Sequence, residues 1–405
     1  MKKLFQVLCV FAAAAAALPA QSYRFGQVWD GEKLLTNAVI VVENGRIKSV
    51  GPSSGEAVDL TRYTAVPGLI DAHTHMTFVL TKTLDMLSPA GRSSAAVYLS
   101  QDGAKKTLEA GVTTVRNLNA RNYDDIAMRD LINAGLMVGP RMFVSGYGLH
   151  ISRGNNPDPG AVDGPTEVMK AVRRQIADGV DIVKMFGSTG SGDDVTGFQT
   201  FTYEEMKAAV DAAHALGKRI AIHTYGPAGA RDAVRAGADS VEHATGMDEE
   251  TIQEMARKKI FYVPTIDHNR YYVDNAALLG YPPSAIAPLN DFIARNLETA
   301  RKAFRAGVRF AMGSDAVRTM FGENTRELGW FVKAGMTPEQ ALKTASVDGA
   351  ALLGMEDKLG YLRPGYFADI AAVEGNPLED INAVIHNVRW VMKDGVVVVD
   401  RTKGK

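Results

Sequence analysis

One unit recurs along this chain: a helical stretch, a glycine at its end, then a short β-rich run. It occurs as Leu108-Glu-Ala-Gly111 ahead of Val112-Thr-Thr-Val115, as Ala177-Asp-Gly179 ahead of Val180 to Phe186, and as Ala215-Leu-Gly217 ahead of Arg219 to Thr224. Ala236-Gly237 precedes the run from Ala238 to His243, and Ala306-Gly307 precedes Val308 to Met312. A glycine just past a helix takes the left-handed conformation at little cost and stops the helix. Start signals agree: Thr202-Tyr-Glu-Glu205 is a capping box, and Thr337-Pro338-Glu-Gln340 puts proline at the first helical position. With the runs from Leu69 to His75, Arg141 to Gly146 and Ile260 to Thr265, eight candidate strands fall between residues 67 and 315. Strands alternating with helices imply parallel βαβ units, and eight of them point to a closed TIM-type (β/α)8 barrel with its site at the strands' C-terminal ends. The rival, an open doubly wound sheet, lacks a glycine-rich phosphate loop at any helix start.

The flanks read differently. Tyr23 to Val50 is strand-like, with Asn44-Gly45 as a hairpin signal between Val39-Ile-Val-Val42 and Ile47. Asp394-Gly395 gives the same signal between Arg389-Trp-Val-Met392 and the run from Val396 to Val399. These β-rich ends, residues 21–66 and 361–405, are expected to pack as a small β-sandwich domain beside a barrel over residues 67–360. Residues 1–20 are unlike either part. Met1-Lys2-Lys3, an apolar run from Leu4 to Ala17 and then Leu18-Pro19-Ala20 read as a secretory signal peptide cut near Ala20–Gln21. That reading makes the mature protein periplasmic or secreted. The apolar run is shorter than the ~20 residues a membrane span needs, so no stable membrane insertion is expected after cleavage.

Composition then removes several function classes. Cys9 is the single cysteine and lies in the signal, which excludes disulfides, thiolate nucleophiles and cysteine metal ligands from the mature chain. Forty-five basic residues against 46 acidic ones give a net charge of −1, and no basic stretch suits a nucleic acid. A small-molecule substrate is the expected partner, and a homo-oligomer stays open.

The chemistry lies at the strand ends. In His73-Thr74-His75 the imidazoles are two residues apart, so in a strand both face one side. A histidine pair of this kind is by itself weak evidence for a metal. Four further strands, however, end on potential ligands at the same depth: Lys184, His223 in Ala221-Ile-His223, His243 in Val241-Glu-His243, and Asp315 in Met312-Gly-Ser-Asp315. Four imidazoles and one carboxylate suit Zn²⁺ or a similar divalent ion. Five direct ligands exceed the usual three of a catalytic zinc site, which indicates two metals. A lysine ammonium between two cations would be repelled. The conflict disappears if CO₂ carboxylates Lys184 to N6-carboxylysine, an anionic carbamate able to bridge both ions.

The chain resembles the amidohydrolase superfamily, in particular its imidazolonepropionase-like and Xaa-Pro dipeptidase (prolidase-like) branch. The segments that carry the resemblance are Pro67-Gly-Leu-Ile-Asp-Ala-His-Thr-His75, Ser240-Val-Glu-His243, Gly313-Ser-Asp315, Glu327-Leu328, Gly335-Met-Thr-Pro338 and Pro364-Gly-Tyr-Phe-Ala-Asp369. The resemblance implies His73, His75 and Asp315 on one metal, His223 and His243 on the other, and carboxylated Lys184 between them. It also implies a metal-bridging hydroxide that cleaves an amide or peptide bond, with Asp315 as general base and then acid. Tyr225 and His150 are the candidates to polarise the scissile carbonyl.

Two loops depart from the branch: Met185-Phe-Gly-Ser-Thr-Gly-Ser-Gly192 stands where a Gly-Gly-Val-type turn is commoner, and Ala316-Val317-Arg318 where a small glycine-containing segment is usual. Both bear on the substrate, for which the expectation is a dipeptide such as Xaa-Pro or an N-acyl amino acid. Arg318 is the first candidate for its free carboxylate, with Arg153 and Arg270 as alternatives. The competing readings are a cyclic amide, carbamate or ester as substrate, and a non-catalytic periplasmic binding protein.

Overall fold

The computed structural model describes residues 20–78, 93–152, 158–192 and 194–402. The expected signal peptide (except Ala20) and Arg153 lie outside these residues. The first strand, β1 (Gln21–Trp29), begins at the residue after the expected cleavage point. It is followed by β2 (Leu34–Glu43), β3 (Arg46–Gly51) and β4 (Val58–Pro67), which join three strands from the other end of the chain: β13 (Ile370–Glu374), β14 (Val388–Lys393) and β15 (Val396–Asp400). Together they make one seven-stranded sheet in the order β15-β14-β13-β4-β1-β2-β3. Both predicted hairpins form. Asn44 and Gly45 (φ 52° and 74°) and Asp394 and Gly395 (φ 50° and 78°) take the paired left-handed turn that matches strand twist. In a flat sheet β14 and β1 would stand three spacings apart, about 14 Å. Instead the Trp390 ring of β14 lies 5.3 Å from Tyr23 and 6.0 Å from Phe25 of β1. The sheet therefore curls, and one buried cluster of Tyr23, Phe25, Ile40, Ile370 and Trp390 fills its concave side.

Between these ends run the eight strands expected from the sequence: β5 (Leu69–Thr74), β6 (Val112–Asn117), β7 (Arg141–Val144), β8 (Ile182–Phe186), β9 (Arg219–Thr224), β10 (Ser240–His243), β11 (Phe261–Val263) and β12 (Arg309–Phe310). Their pairing is parallel throughout, in a three-stranded sheet β5-β6-β7 and a five-stranded sheet β12-β11-β10-β9-β8. Hydrogen bonds cross both junctions. At one, Ala72 N–H donates to Met312 O (2.7 Å) and Asp315 N–H to His73 O (2.7 Å); at the other, Leu149 N–H donates to Lys184 O (2.9 Å) and Phe186 N–H to Leu149 O (2.8 Å). The helices between strands start and stop where the sequence places them. Thr202 and Thr337 form complete capping boxes, and Gly237 ends its helix at φ 90°.

Arg141 at the start of β7 ties these strands to the curled sheet. It donates to Asp369 at 2.5 Å and to Asp394 in the β14–β15 turn, with its guanidinium 4.3 Å from the Phe367 ring. Arg141→Met leaves the nearly buried Asp369 without its cation. It should cost about 3 kcal/mol, in the range for breaking a buried pair from one side. Urea unfolding of wild type and variant measures this; a difference below about 0.5 kcal/mol would mean that the latch does not hold the two parts together.

Candidate metal centre

Five of the eight strands deliver the polar side chains at their C-terminal ends. β5 carries His73, with His75 one residue past its end; β8 carries Lys184, β9 His223 and β10 His243, and Asp315 follows β12. Asp315 Oδ1 lies 2.9 Å from His75 Nε2 and 3.5 Å from His73 Nε2, and its Oδ2 is 4.0 Å from His243 Nδ1. The His243 ring is 4.9 Å from His73 and 4.5 Å from His223. His73, His243 and Asp315 can each offer an atom within 4.8 Å of the others, close enough to share one ion.

The electrostatics suit ligands. Burial holds the His73 imidazole down at about 4 and those of His223 and His243 well below their ordinary value, so their lone pairs are available at neutral pH. Burial also pushes Lys184 down to about 8, against the pull of Glu242 and Asp315. Burial alone would raise Asp315, but His268, His73 and His75 hold it well below the carboxylate range, leaving it ionised. Among the described residues, Nε2 of His73, Nε2 of His223 and Nζ of Lys184 are buried without a hydrogen-bond partner. Buried polar atoms are nearly always bonded. Three such orphans, two of them on histidines whose rings flank His243, fit divalent cations.

The sequence reading left the supporting shell unassigned. Glu242 on β10 accepts from His73 Nδ1 (2.8 Å), from Ser240 Oγ (2.5 Å) and from Arg116 Nη2 on β6 (2.8 Å). Burial would raise its pKa, but Arg116 and then His73 bring it to about 2. A carboxylate behind a ligating histidine fixes its tautomer and aims its other nitrogen at the metal. His268 is the second addition. Its Nδ1 is 2.9 Å from Asp315 O, and its Nε2 is 3.4 Å from Asp315 Oδ2. It lies three residues past Thr265, where the predicted seventh strand ends, so a strand-end search extended by one turn would have found it.

Tyr225 is buried with its ring stacked between His223 (5.1 Å) and Phe292 (4.6 Å) and edge-on to His243 (5.0 Å). His150 lines a cleft of about 500 Å³ with Phe78, Arg121, Tyr147, Asp158 and Phe186. Both its ring nitrogens are engaged, Nδ1 with Ile151 O (2.9 Å) and Nε2 with Asp158 Oδ2 (3.1 Å). Arg318 stands at φ 57° with Nε and Nη1 buried and without hydrogen-bond partners, its guanidinium 5.5 Å from the Tyr272 ring. Arg270 is not brought to the site. It pairs with Asp274 at 2.5 Å and lines a separate surface cleft beside Asn382 and His386, because its helical position points it away from His268.

Comparison with known proteins agrees with this chemistry. The model of the Amidohydrolase family matches residues 64–398. Ochratoxinase of Aspergillus niger is 31% identical over 394 residues, covering 87% of this chain and 80% of that protein. A crystal structure of a Xaa-Pro dipeptidase with methionine bound in its active site superposes with a TM-score of 0.85 at 32% identity, over 94% of this chain and 99% of that one. A prolidase complexed with N-methylphosphonate-L-proline gives 0.84 at 27% identity, over 94% and 100%. The chain belongs to the amidohydrolase family and is a hydrolase acting on carbon–nitrogen bonds.

Proposed function

We propose that this protein is a binuclear metal-dependent amidohydrolase that cleaves dipeptides such as Xaa-Pro, or N-acyl amino acids. The observation that carries the reading is the set of orphaned, buried donor atoms at the ends of β5, β8 and β9, beside His243 and Asp315. The hydrogen bonds across both sheet junctions support closure of the eight strands into a (β/α)8 barrel with this cluster at its C-terminal mouth. His73, His75 and Asp315 would hold one ion, His223 and His243 the other, and carboxylated Lys184 would lie between them. Two divalent ions, Zn²⁺ by the chemistry of these donors, supply a water acidic enough to react at neutral pH. The chain's own groups do the rest. Asp315, ionised and pressed against His75, takes up the proton of the attacking water and returns it to the departing amine. Tyr225, fixed between two rings, is the donor to the scissile carbonyl, and His150 borders the cleft through which substrate enters. Lys184 reacts with CO₂ only as the neutral amine, and its lowered pKa makes that form accessible near neutrality.

The substrate reading rests on Arg318. Arg318 is half-buried, and its two buried, unbonded nitrogens cost free energy unless something anionic meets them, which a substrate carboxylate does with charge-assisted bonds. Two structural neighbours are described as a Xaa-Pro dipeptidase and a prolidase, enzymes for substrates with such a group.

Three outcomes are expected. Metal analysis of purified protein should give close to two divalent ions per chain, and His223→Ala should lower that number; one ion with full activity would contradict the binuclear assignment. Lys184→Ala should lose at least ~100-fold in kcat, partly restored by acetate or propionate with added metal; wild-type turnover would rule out the carbamate. Amidating the C-terminus of a good substrate should cut kcat/KM by about 100-fold, or ~3 kcal/mol. Arg318→Met should cause a similar loss with the acid and almost none with the amide. Equal rates on acid and amide would turn the assignment towards cyclic amides, carbamates or esters.

A further inference from the structure

The two loops that set this chain apart from its branch meet on one residue. From the loop after β12, Arg318 places its guanidinium 5.5 Å from the Tyr272 ring. From the loop after β8, Gly192 lies so close to the same ring that a Cβ there would stand 2.2 Å from its Cε2 and Cζ. Two residues earlier, a Cβ on Gly190 would stand 2.3 Å from Cγ of Tyr225. The Gly187-to-Gly192 loop thus lies directly on both tyrosines, with a glycine at each contact. Tyr272 is also tied to the metal cluster, since its ring is 5.0 Å from His268, whose Nε2 is 3.4 Å from Asp315 Oδ2. An unbroken series of contacts runs from Asp315 through His268 and Tyr272 to Arg318.

We propose that Tyr272 is the positioning residue for carboxylate recognition. Pressed down by the loop at Gly192, it holds the Arg318 guanidinium over its face at a fixed distance from Asp315. The proposal rests on the reading of Arg318 given above. The physical case is one of preorganisation. A free arginine has several rotatable bonds to lose on binding, and a guanidinium held on an aromatic face has lost them beforehand. The left-handed backbone at Arg318 (φ 57°), costly for a side chain of this size, serves the same end by turning the arginine towards Tyr272. The chain spends conformational strain and two glycines to keep one cation still.

The test measures kcat and KM of the metal-loaded enzyme for the best substrate among Xaa-Pro dipeptides and N-acyl amino acids, and for its C-terminal amide. Tyr272→Leu should raise KM for the acid about tenfold, leaving kcat and the amide's KM within about twofold of wild type. Tyr272→Phe keeps the aromatic face and should restore the acid's KM. Gly192→Ala, whose backbone is unstrained, should displace the ring and reproduce the effect of Tyr272→Leu, which also covers the case in which the leucine variant fails to fold. By contrast, Gly190→Ala bears on Tyr225 and should lower kcat for acid and amide alike. Equal effects of Tyr272→Leu on acid and amide would reduce Tyr272 to a structural role and overturn the proposal. An acid preference lost in Arg318→Met but kept in both Tyr272→Leu and Gly192→Ala would overturn it while leaving carboxylate capture standing. No acid preference in wild type, or no hydrolysis of either substrate class, removes both readings together.

Discussion

The ion pair between Arg116 and Glu242 is the contact on which the interior depends. Arg116 comes from β6 in the three-stranded sheet and Glu242 from β10 in the five-stranded one, and neither side chain is exposed at all. Either charge alone in that interior would cost several kcal/mol, which is why removing one partner of such a pair is far more damaging than replacing both. Here the pair is fully bonded. Arg116 also donates to Ser240 Oγ at 2.9 Å, and Glu242 accepts from His73. The same carboxylate that holds the two sheets together across the interior therefore decides which nitrogen of His73 faces Asp315 and the other candidate ligands. Fold and chemistry share one buried anion.

A second buried acid plays the corresponding part on the other side of the site. Glu327 accepts from Ile266 N–H (2.9 Å) and Asp267 N–H (2.8 Å), the first free donors of the helix Ile266–Asp274. Burial pushes its carboxyl well above the ordinary range in spite of those two bonds. The helix that it caps carries both His268, against Asp315, and Tyr272, against Arg318. Asp267 is fixed in turn by Trp330 Nε1 at 2.9 Å and Arg326 Nε at 3.1 Å. The helix is thus anchored at its start, so rings one and two turns along it stay at fixed distances from Asp315 and Arg318.

What the sequence made legible was local. Glycine stops, capping boxes and strand-end ligands each depend on a few neighbouring residues, so the eight strands, both hairpins and the convergence of His73, Lys184, His223, His243 and Asp315 could be read directly. The missing parts depend on long-range partners. Nothing near Glu242 announces that Arg116, 126 positions away, will meet it, and nothing near Glu327 points to a helix start 60 positions earlier. The arginines show the same limit. Arg318 and Arg270 are both polar residues just past a strand, but one is turned inward by a left-handed backbone and the other leaves the site on the outer face of a helix. The curl of the seven-stranded sheet was also out of reach, because it follows from Trp390 meeting Tyr23 and Phe25 across the two strands between them.

The cost of the arrangement is visible in the backbone. Non-glycine residues with positive φ are uncommon, and the larger ones pay about 1 kcal/mol or more each. Four of them cluster here: His243 (70°), Thr265 (50°), Asp315 (53°) and Arg318 (57°). Thr265 is β-branched, and its Oγ1 lies 2.6 Å from His243 Nδ1, so its strain is coupled to the aim of a ligand. Added to this are the unbonded nitrogens of His73, His223, Lys184 and Arg318. None of these features stabilises the protein by itself. A group that binds only the folded chain, a cation at the first three or an anion at the fourth, recovers the cost as binding free energy and raises stability in proportion to its occupancy. Strain and orphaned donors are therefore the price of holding a site in its liganded shape before the ligand arrives. The strain at His243, Thr265, Asp315 and Arg318 and the orphaned nitrogens beside it fall where a bound group can recover their cost.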